Sequence, residues 1–137
     1  MYHHTKTKGD LGVLKIKVDL YMQGFLILIP ETEHSPFDLV IYRNGKFRTV
    51  QVKFRNPTKK GALEIPFRSS YSTSKGVKTK SVDKSLINLY AVYCPQTDSC
   101  YYFNPKRYNK SITLRVKTPL NNQKSKTHTA DQFKKVP

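Results

Sequence analysis

Acidic residues are scarce in this chain: nine Asp and Glu stand against 25 Lys and Arg, for a net charge of +16. That imbalance far exceeds what solubility requires. It draws polyanions, of which nucleic acid is the commonest. Long hydrophobic runs are missing as well. No stretch approaches the roughly 20 apolar residues that span a bilayer, and no basic amphipathic helix stands out, so an anionic membrane loses ground as the rival partner. Met1–Lys8 lacks the apolar run of a signal peptide, which makes the cytoplasm the expected location. Cysteines are few. Cys94 and Cys100 cannot build a four-ligand zinc site without histidines, and His3, His4, His34 and His128 are scattered. Two reduced thiols on neighbouring strands are expected. There is no internal repeat.

What is present fits one domain of 137 residues, long enough for an ordinary core. Leu11, Leu14, Val18, Tyr21 and Met22 follow the three-and-four spacing of one helix face, so Asp10 to Gly24 reads as a helix. Thr7 can cap it and Gly24 can end it. The apolar run Phe25–Ile29 reads as a short strand buried on both faces, and Pro30–Phe37 as a loop. Asn44-Gly45 supplies the two positive-φ residues of a type I′ turn between strands Asp38–Arg43 and Lys46–Phe54. Arg55–Gly61 reads as a loop, Leu63–Phe67 as a short strand, and Arg68–Lys84 as a long, mobile, basic segment. Asn88–Cys94 and Cys100–Phe103 form a hairpin around Pro95–Ser99, and Ile112–Lys117 alternates like a half-buried strand. Residues 1–120 are thus expected as the folded domain, carrying basic insertions at 55–62 and 68–84. Asn121–Pro137 is expected as a loosely held polar tail, with a helical turn at Thr129–Phe133. One helix followed by a meander of strands predicts an α+β, mixed α/β sandwich.

The hairpin concentrates chemistry. With a two-residue turn at 44–45, residues whose numbers sum to about 89 pair, so Asp38 lies opposite Gln51. Val50, Val52 and Phe54 share one face of the second strand, and Gln51 and Lys53 the other. A carboxylate, an amide oxygen, the Val52 carbonyl and an ammonium meet at one end of the hairpin. Mg²⁺ (or Mn²⁺ or another divalent ion) takes such hard oxygen ligands. Lys53 can hold an attacking water or stabilise charge building on phosphorus. The set suits metal-assisted phosphodiester hydrolysis. The plainer roles are a strand-opening Asp38, a surface Gln51 and a Lys53 that is one base among many. Glu64, near the hairpin, is read as structural.

At Pro36-Phe37-Asp38 and Gln51-Val52-Lys53 the chain resembles the PD-(D/E)XK nuclease superfamily, and most of all its intron-encoded homing endonucleases from bacterial group I introns. The likeness runs from about residue 8 to 125, through Lys8-Gly9-Asp10, His34-Ser35-Pro36-Phe37-Asp38-Leu39-Val40, Val50-Gln51-Val52-Lys53, Tyr93-Cys94-Pro95-Gln96-Thr97-Asp98, Tyr101-Tyr102 and Ile112-Thr113-Leu114-Arg115-Val116. The resemblance implies a restriction-endonuclease-like core whose hairpin carries the active site. In it Asp38 is the metal-binding acid, Gln51 takes the place of the second acid, Lys53 is the lysine and Asp10 is an acid supplied by the first helix. Two positions depart from the pattern. Gln51 removes a negative charge, and Val13 stands where many relatives place a glutamate. At a helix start, Asp10 also suits the dipole alone.

Between Asp38 and Glu64 there is no acid, while Arg43, Lys46, Arg48, Lys53, Arg55, Lys59 and Lys60 are present. Arg68, Lys75, Lys78, Lys80 and Lys84 follow, with Asp83 the one acid among them. Phosphate contacts with a steep salt dependence are expected from this run. Arg43, Lys46, Arg48, the 55–60 loop and the 68–80 segment with Tyr71 are candidates to reach bases in a major groove. Tyr90, Tyr93, Tyr101, Tyr102 and Phe103 are expected to pack rather than to stack on bases. One chain carries one such site, so cutting both strands of a duplex calls for a homo-oligomer. A dimer is the simple solution, and a tetramer better suits a small chain on a long target. The expected activity is site-specific, metal-dependent cleavage of double-stranded DNA. A junction-resolving nuclease and a non-catalytic basic nucleic-acid-binding protein are the alternatives.

Overall fold

The structure, a computed structural model, describes residues 4–117 and 128–137, with side chains at all of these but 4, 5 and 69–72. Helix α1 (His4–Met22) leads into strands β1 (Leu26–Leu28), β2 (Leu39–Arg43) and β3 (Lys46–Phe54). Then come β4 (Ala62–Pro66), β5 (Arg68–Thr73), β6 (Gly76–Ser81), β7 (Leu89–Cys94), β8 (Ser99–Phe103), β9 (Ser111–Arg115) and β10 (His128–Thr129). The fold is α+β, a leading helix followed by mixed sheet, as the sequence predicts.

A five-stranded sheet in the order β1-β2-β3-β7-β8 is the centre of the molecule. Its β3–β7 contact is parallel and its other contacts are antiparallel. All six residues of β7 are buried, because this strand is covered on both faces. On one face Ile16 and Leu20 of α1 pack onto Leu39, Ile41, Val50, Val52 and Leu89. On the other, Tyr90, Val92, Tyr101 and Phe103 meet Leu63, Ile65, Ile112 and Leu114 of a second, three-stranded sheet, β10-β9-β4. Each fully buried aliphatic or aromatic side chain in these layers contributes roughly 1.5–3 kcal/mol of transfer free energy. Tyr90, Tyr101, Tyr102 and Phe103 are therefore core, as expected. Cys94 and Cys100 are free thiols on paired strands, and they join different layers.

Several elements differ from the sequence reading. The helix begins at His4, so Thr7 lies inside it instead of capping it. Its buried line is Gly12, Ile16 and Leu20, whereas Leu11, Leu14, Val18, Tyr21 and Met22 face solvent. Apolar residues occupy two sides of this helix, and specific contacts select which one faces inward. Gly12 lets the backbone close on β3, where an added Cβ would stand 3.4 Å from the Phe54 Cβ. The Tyr102 hydroxyl donates to Asp19 Oδ2 at 2.5 Å, tying one flank of α1 to β8. The Phe25–Ile29 segment is not buried on both faces. Among the described residues β1 is an edge strand bonded to β2 alone, and Leu26, Leu28 and Ile29 are exposed.

The 68–84 segment is ordered as a hairpin of β5 and β6, a two-stranded sheet of its own. A 3-10 turn at Lys84–Leu86 follows, capped by the Asp83 side chain. The part of the expected tail within the described residues, 128–137, is packed instead of loose. His128 and Thr129 pair in parallel with Leu114 and Arg115, Ala130 is in the core, and Val136 N–H donates to Gln23 Oε1 at 3.0 Å. A 3-10 turn covers Ala130–Phe133, where a helical turn was expected. Residues 121–127 lie outside the described residues.

Gly61 closes the turn before β4 with φ +77°, and its carbonyl accepts from Val116 and Lys117 N–H. An added Cβ would stand 2.6 Å from the Lys117 Cβ. Gly61→Ala is expected to lower stability by about 1–2 kcal/mol from the left-handed conformation alone, with the crowding adding to this. A urea titration comparing midpoints at unchanged slope measures it.

Candidate active site

The Asn44-Gly45 turn forms as the sequence predicts, with φ of 53° and 80°. Leu39 pairs with Val50 and Arg43 with Lys46, the register in which residue numbers sum to 89. The ladder runs one step further, because Asp38 N–H donates to Val50 C=O at 2.9 Å. Beyond that point β2 has ended while β3 continues, which leaves a notch in the sheet. Asp38 Oδ2 lies in the notch and accepts from Val52 N–H at 2.8 Å and from Gln51 Nε2 at 3.1 Å. Within a strand the N–H and C=O of one residue point to the same side. The Val52 carbonyl therefore points into the same notch, past the end of β2. Gln51 keeps its Oε1 for another partner.

Gln51 and Lys53 alternate with the buried Val50 and Val52, so they occupy the sheet face opposite α1. Crowding by the chain around Asp38 raises its carboxyl above the ordinary carboxylate value, against the pull of the Val52 N–H and the Lys53 charge. Partial burial and the nearby Arg55 hold the Lys53 ammonium below the ordinary lysine value, and Asp38 opposes them. Among the described residues no ion pair joins Lys53 to Asp38. The two act on one another across a gap.

Asp10 sits on an exposed turn of α1, and no hydrogen bond joins it to Asp38. Among the described residues no three His, Cys, Asp or Glu side chains gather in one place. The groups that meet are thus the Asp38 carboxylate, the Gln51 amide, whose nitrogen faces Asp38, and the Val52 backbone carbonyl; carboxylate, amide and carbonyl oxygens are hard donors of the kind Mg²⁺ takes. Glu64 is exposed on β4, opposite Thr113.

The basic residues divide between the two faces. Arg43, Lys46 and Arg48 share the face of Leu39, Ile41 and Val50, away from Gln51 and Lys53. There Arg43 donates to the Gln23 carbonyl at 3.0 Å and lies 4.0 Å from the Phe25 ring centroid, and Arg48 donates to the Pro137 carbonyl at 2.7 Å. Arg55 follows Lys53 on the notch side, and Lys59 and Lys60 stand exposed in the next turn. Arg68, Lys75, Lys78 and Lys80 are exposed on the β5–β6 hairpin. The Tyr71 side chain lies outside the described residues. Lys84 instead braces the fold, donating to the Tyr108 carbonyl at 2.6 Å and to that of Asn109.

One polar group near the notch reads from sequence only as a packing aromatic. Tyr90 is the β7 partner of Gln51, and its hydroxyl is buried without a hydrogen-bond partner. Burial pushes this phenol up to about 12, with Arg55 drawing it the other way. Only the long-range parallel pairing of β3 with β7 brings it there, and no local pattern announces that pairing.

One α-helix among the described residues, set on a mixed sheet with an acid, an amide and a lysine at the frayed end of a hairpin, is the arrangement of a restriction-type nuclease core. The profile of the PD-(D/E)XK endonuclease family matches residues 3–136, nearly the whole chain, and the protein belongs to that family. It is a nuclease, and nucleases of this family act on DNA and generally use divalent metal ions. The fold is similar to that of a bacterial homing endonuclease, I-Ssp6803I, with a TM-score of 0.69 and 20% identity over 94% of this chain and 87% of that one. No curated protein matches the sequence. Among the described residues no helix is long and apolar enough to cross a membrane.

Proposed function

We propose that this protein is a site-specific, Mg²⁺-dependent endonuclease of the homing type that hydrolyses phosphodiester bonds of double-stranded DNA in the cytoplasm and works as a homo-oligomer, with a tetramer favoured over a dimer. One observation carries the reading: Asp38 is held in the notch by Val52 N–H and the Gln51 amide, with Lys53 on the adjoining face. In this reading Asp38, the Gln51 amide oxygen and the Val52 carbonyl would hold the ion, and Asp10 of α1 would be a further ligand. When bound, the ion supplies Lewis acidity at the scissile phosphate. Lys53, kept apart from Asp38, places a positive charge where negative charge grows during the displacement. Arg55, Lys59 and Lys60 grip the phosphates next to the notch. The β5–β6 hairpin, a two-stranded ribbon of the width that enters a major groove, carries Arg68, Tyr71, Lys75, Lys78 and Lys80 to the DNA. Arg43, Lys46 and Arg48, on the other face, have at most an outer role there.

Incubation with a randomised duplex library in Mg²⁺ and in chelator tests the proposal. Metal-dependent cutting at one recovered sequence supports it. Cutting of four-way junctions alone points to a resolvase, and binding without cleavage removes the enzyme reading. A narrower expectation concerns Gln51→Glu. Restoring the second acid adds a negative charge to the ion's oxygens, so the Mg²⁺ concentration for half-maximal cleavage is expected to fall several-fold while DNA affinity in chelator stays unchanged. Identical metal titrations for the two proteins would remove Gln51 from the ion's shell.

A further inference from the structure

We propose that the outer face of α1 is a self-association surface on which a second copy of this chain packs antiparallel, helix against helix. Leu14 is 58% exposed, Val18 60%, Tyr21 73% and Met22 80%, with Leu11 at 39% completing the stripe. Large apolar side chains so placed on a surface mark contact sites. The stripe is also ordered. Leu11, Leu14, Val18 and Tyr21 are spaced three, four and three apart, the seam that packs on another helix.

That spacing reads the same in both directions. Two such helices laid antiparallel, in the register where residue numbers sum to 32, set Leu11 against Tyr21 and Leu14 against Val18. Each contact is then made twice about a two-fold axis beside residue 16, the self-complementary form of an isologous interface. The helix is about 28 Å long, so the seam runs along much of one side of the molecule. Beside it lies an open groove of about 550 Å³ between Leu14, Val18 and Met22 of the helix and Tyr93, Ser99 and Lys134.

Charge selects the occupant. A chain of +16 repels its own copies over most of its surface. Asp10, Asp19, Asp98 and Asp131, four of its nine acids, lie on α1 or on the segments flanking it. Lys15 is ion-paired with Asp98 at 3.0 Å and Lys134 with Asp131 at 3.3 Å. With Lys6, Lys8, Lys15, Lys17, Lys134 and Lys135 counted, these elements carry six bases to four acids, against nineteen to five over the rest of the chain, a balance that suits a second copy better than a polyanion. This side also lies on the far face of the sheet from Gln51 and Lys53, so pairing here sets two sites back to back and leaves both open. The inference builds on the homo-oligomer of the proposed function but names a face, and its test needs no DNA.

The test is light scattering and sedimentation of the full chain without DNA, for the wild type and for Leu14→Glu with Val18→Glu. The wild type is expected to associate. The double variant, changed only at exposed positions, is expected to keep its circular dichroism and to dissociate to half the mass or less, with the dissociation constant raised by roughly 30-fold or more. Mixing Leu14→Cys with Val18→Cys is expected to yield an oxidative cross-link between the two, beyond that of either alone. A monomeric wild type, or an assembly indifferent to the two glutamates, would overturn the proposal. Inactivity on DNA with intact association would count against the nuclease mechanism and leave the α1 interface standing.

Discussion

Lys53→Ala is expected to cut DNA at least about 10²–10³-fold more slowly than the wild type while binding the target with nearly the same affinity. The magnitude is that of removing one preorganised charge from a developing oxyanion. Lys53 is well placed to show it. Its ammonium is half-buried beside the notch, makes no ion pair with Asp38, and is held below the usual lysine value by burial and by Arg55. A charge kept partly dry and unneutralised acts more strongly on a reacting phosphate than a solvated one. DNA affinity, by contrast, is spread over Arg55, Lys59, Lys60 and the β5–β6 hairpin, so one charge is a small share of it. Single-turnover cleavage and a binding titration in chelator separate the two effects. A fully active Lys53→Ala protein would end the catalytic assignment.

Asp38→Asn is expected to abolish metal-dependent cleavage with an equal or larger loss, and to do so without unfolding the hairpin. Asp38 Oδ2 accepts from the Val52 N–H and the Gln51 amide. An asparagine carbonyl can accept the same two bonds, so the end of β2 should stay in place. What disappears is the negative charge of the Asp38 carboxylate, beside the neutral Gln51 amide and Val52 carbonyl, and a hard divalent ion depends on that charge most. Asp38→Asn should therefore show no step in a Mg²⁺ titration followed by calorimetry, alongside a thermal midpoint within a few degrees of the wild type. Undiminished Mg²⁺-dependent cutting by this variant would show that the ion is held elsewhere.

Much of this site was legible because it is local. Asn44-Gly45 takes up positive φ by its own chemistry, and the turn then forces Leu39 opposite Val50 and Asp38 beside Gln51. Strand alternation separates Gln51 and Lys53 from the buried Val50 and Val52 with no knowledge of what buries them. The same alternation, followed through the register, also puts Arg43, Lys46 and Arg48 on the wrong side of the hairpin to meet Lys53. Their charge and their place on the hairpin grouped them with the site. The basic 68–84 stretch has a composition that reads as loop, yet its residues pair across a hairpin from Arg68–Ser81 to Thr73–Gly76.

By itself the sequence determined a basic chain, the hairpin, the oxygens and ammonium at its end, and the pairing of β7 with β8, since each depends on neighbours within a few residues or on composition. Tertiary structure alone decided which apolar side of α1 is covered, that β1 is an edge, that β3 lies parallel to β7 with Tyr90 beside Gln51, and that residues 128–137 close onto the core. Helix periodicity says that a stripe is apolar but not what will cover it. That depends on contacts such as Gly12 on Phe54 and Tyr102 on Asp19, whose partners are far apart along the chain.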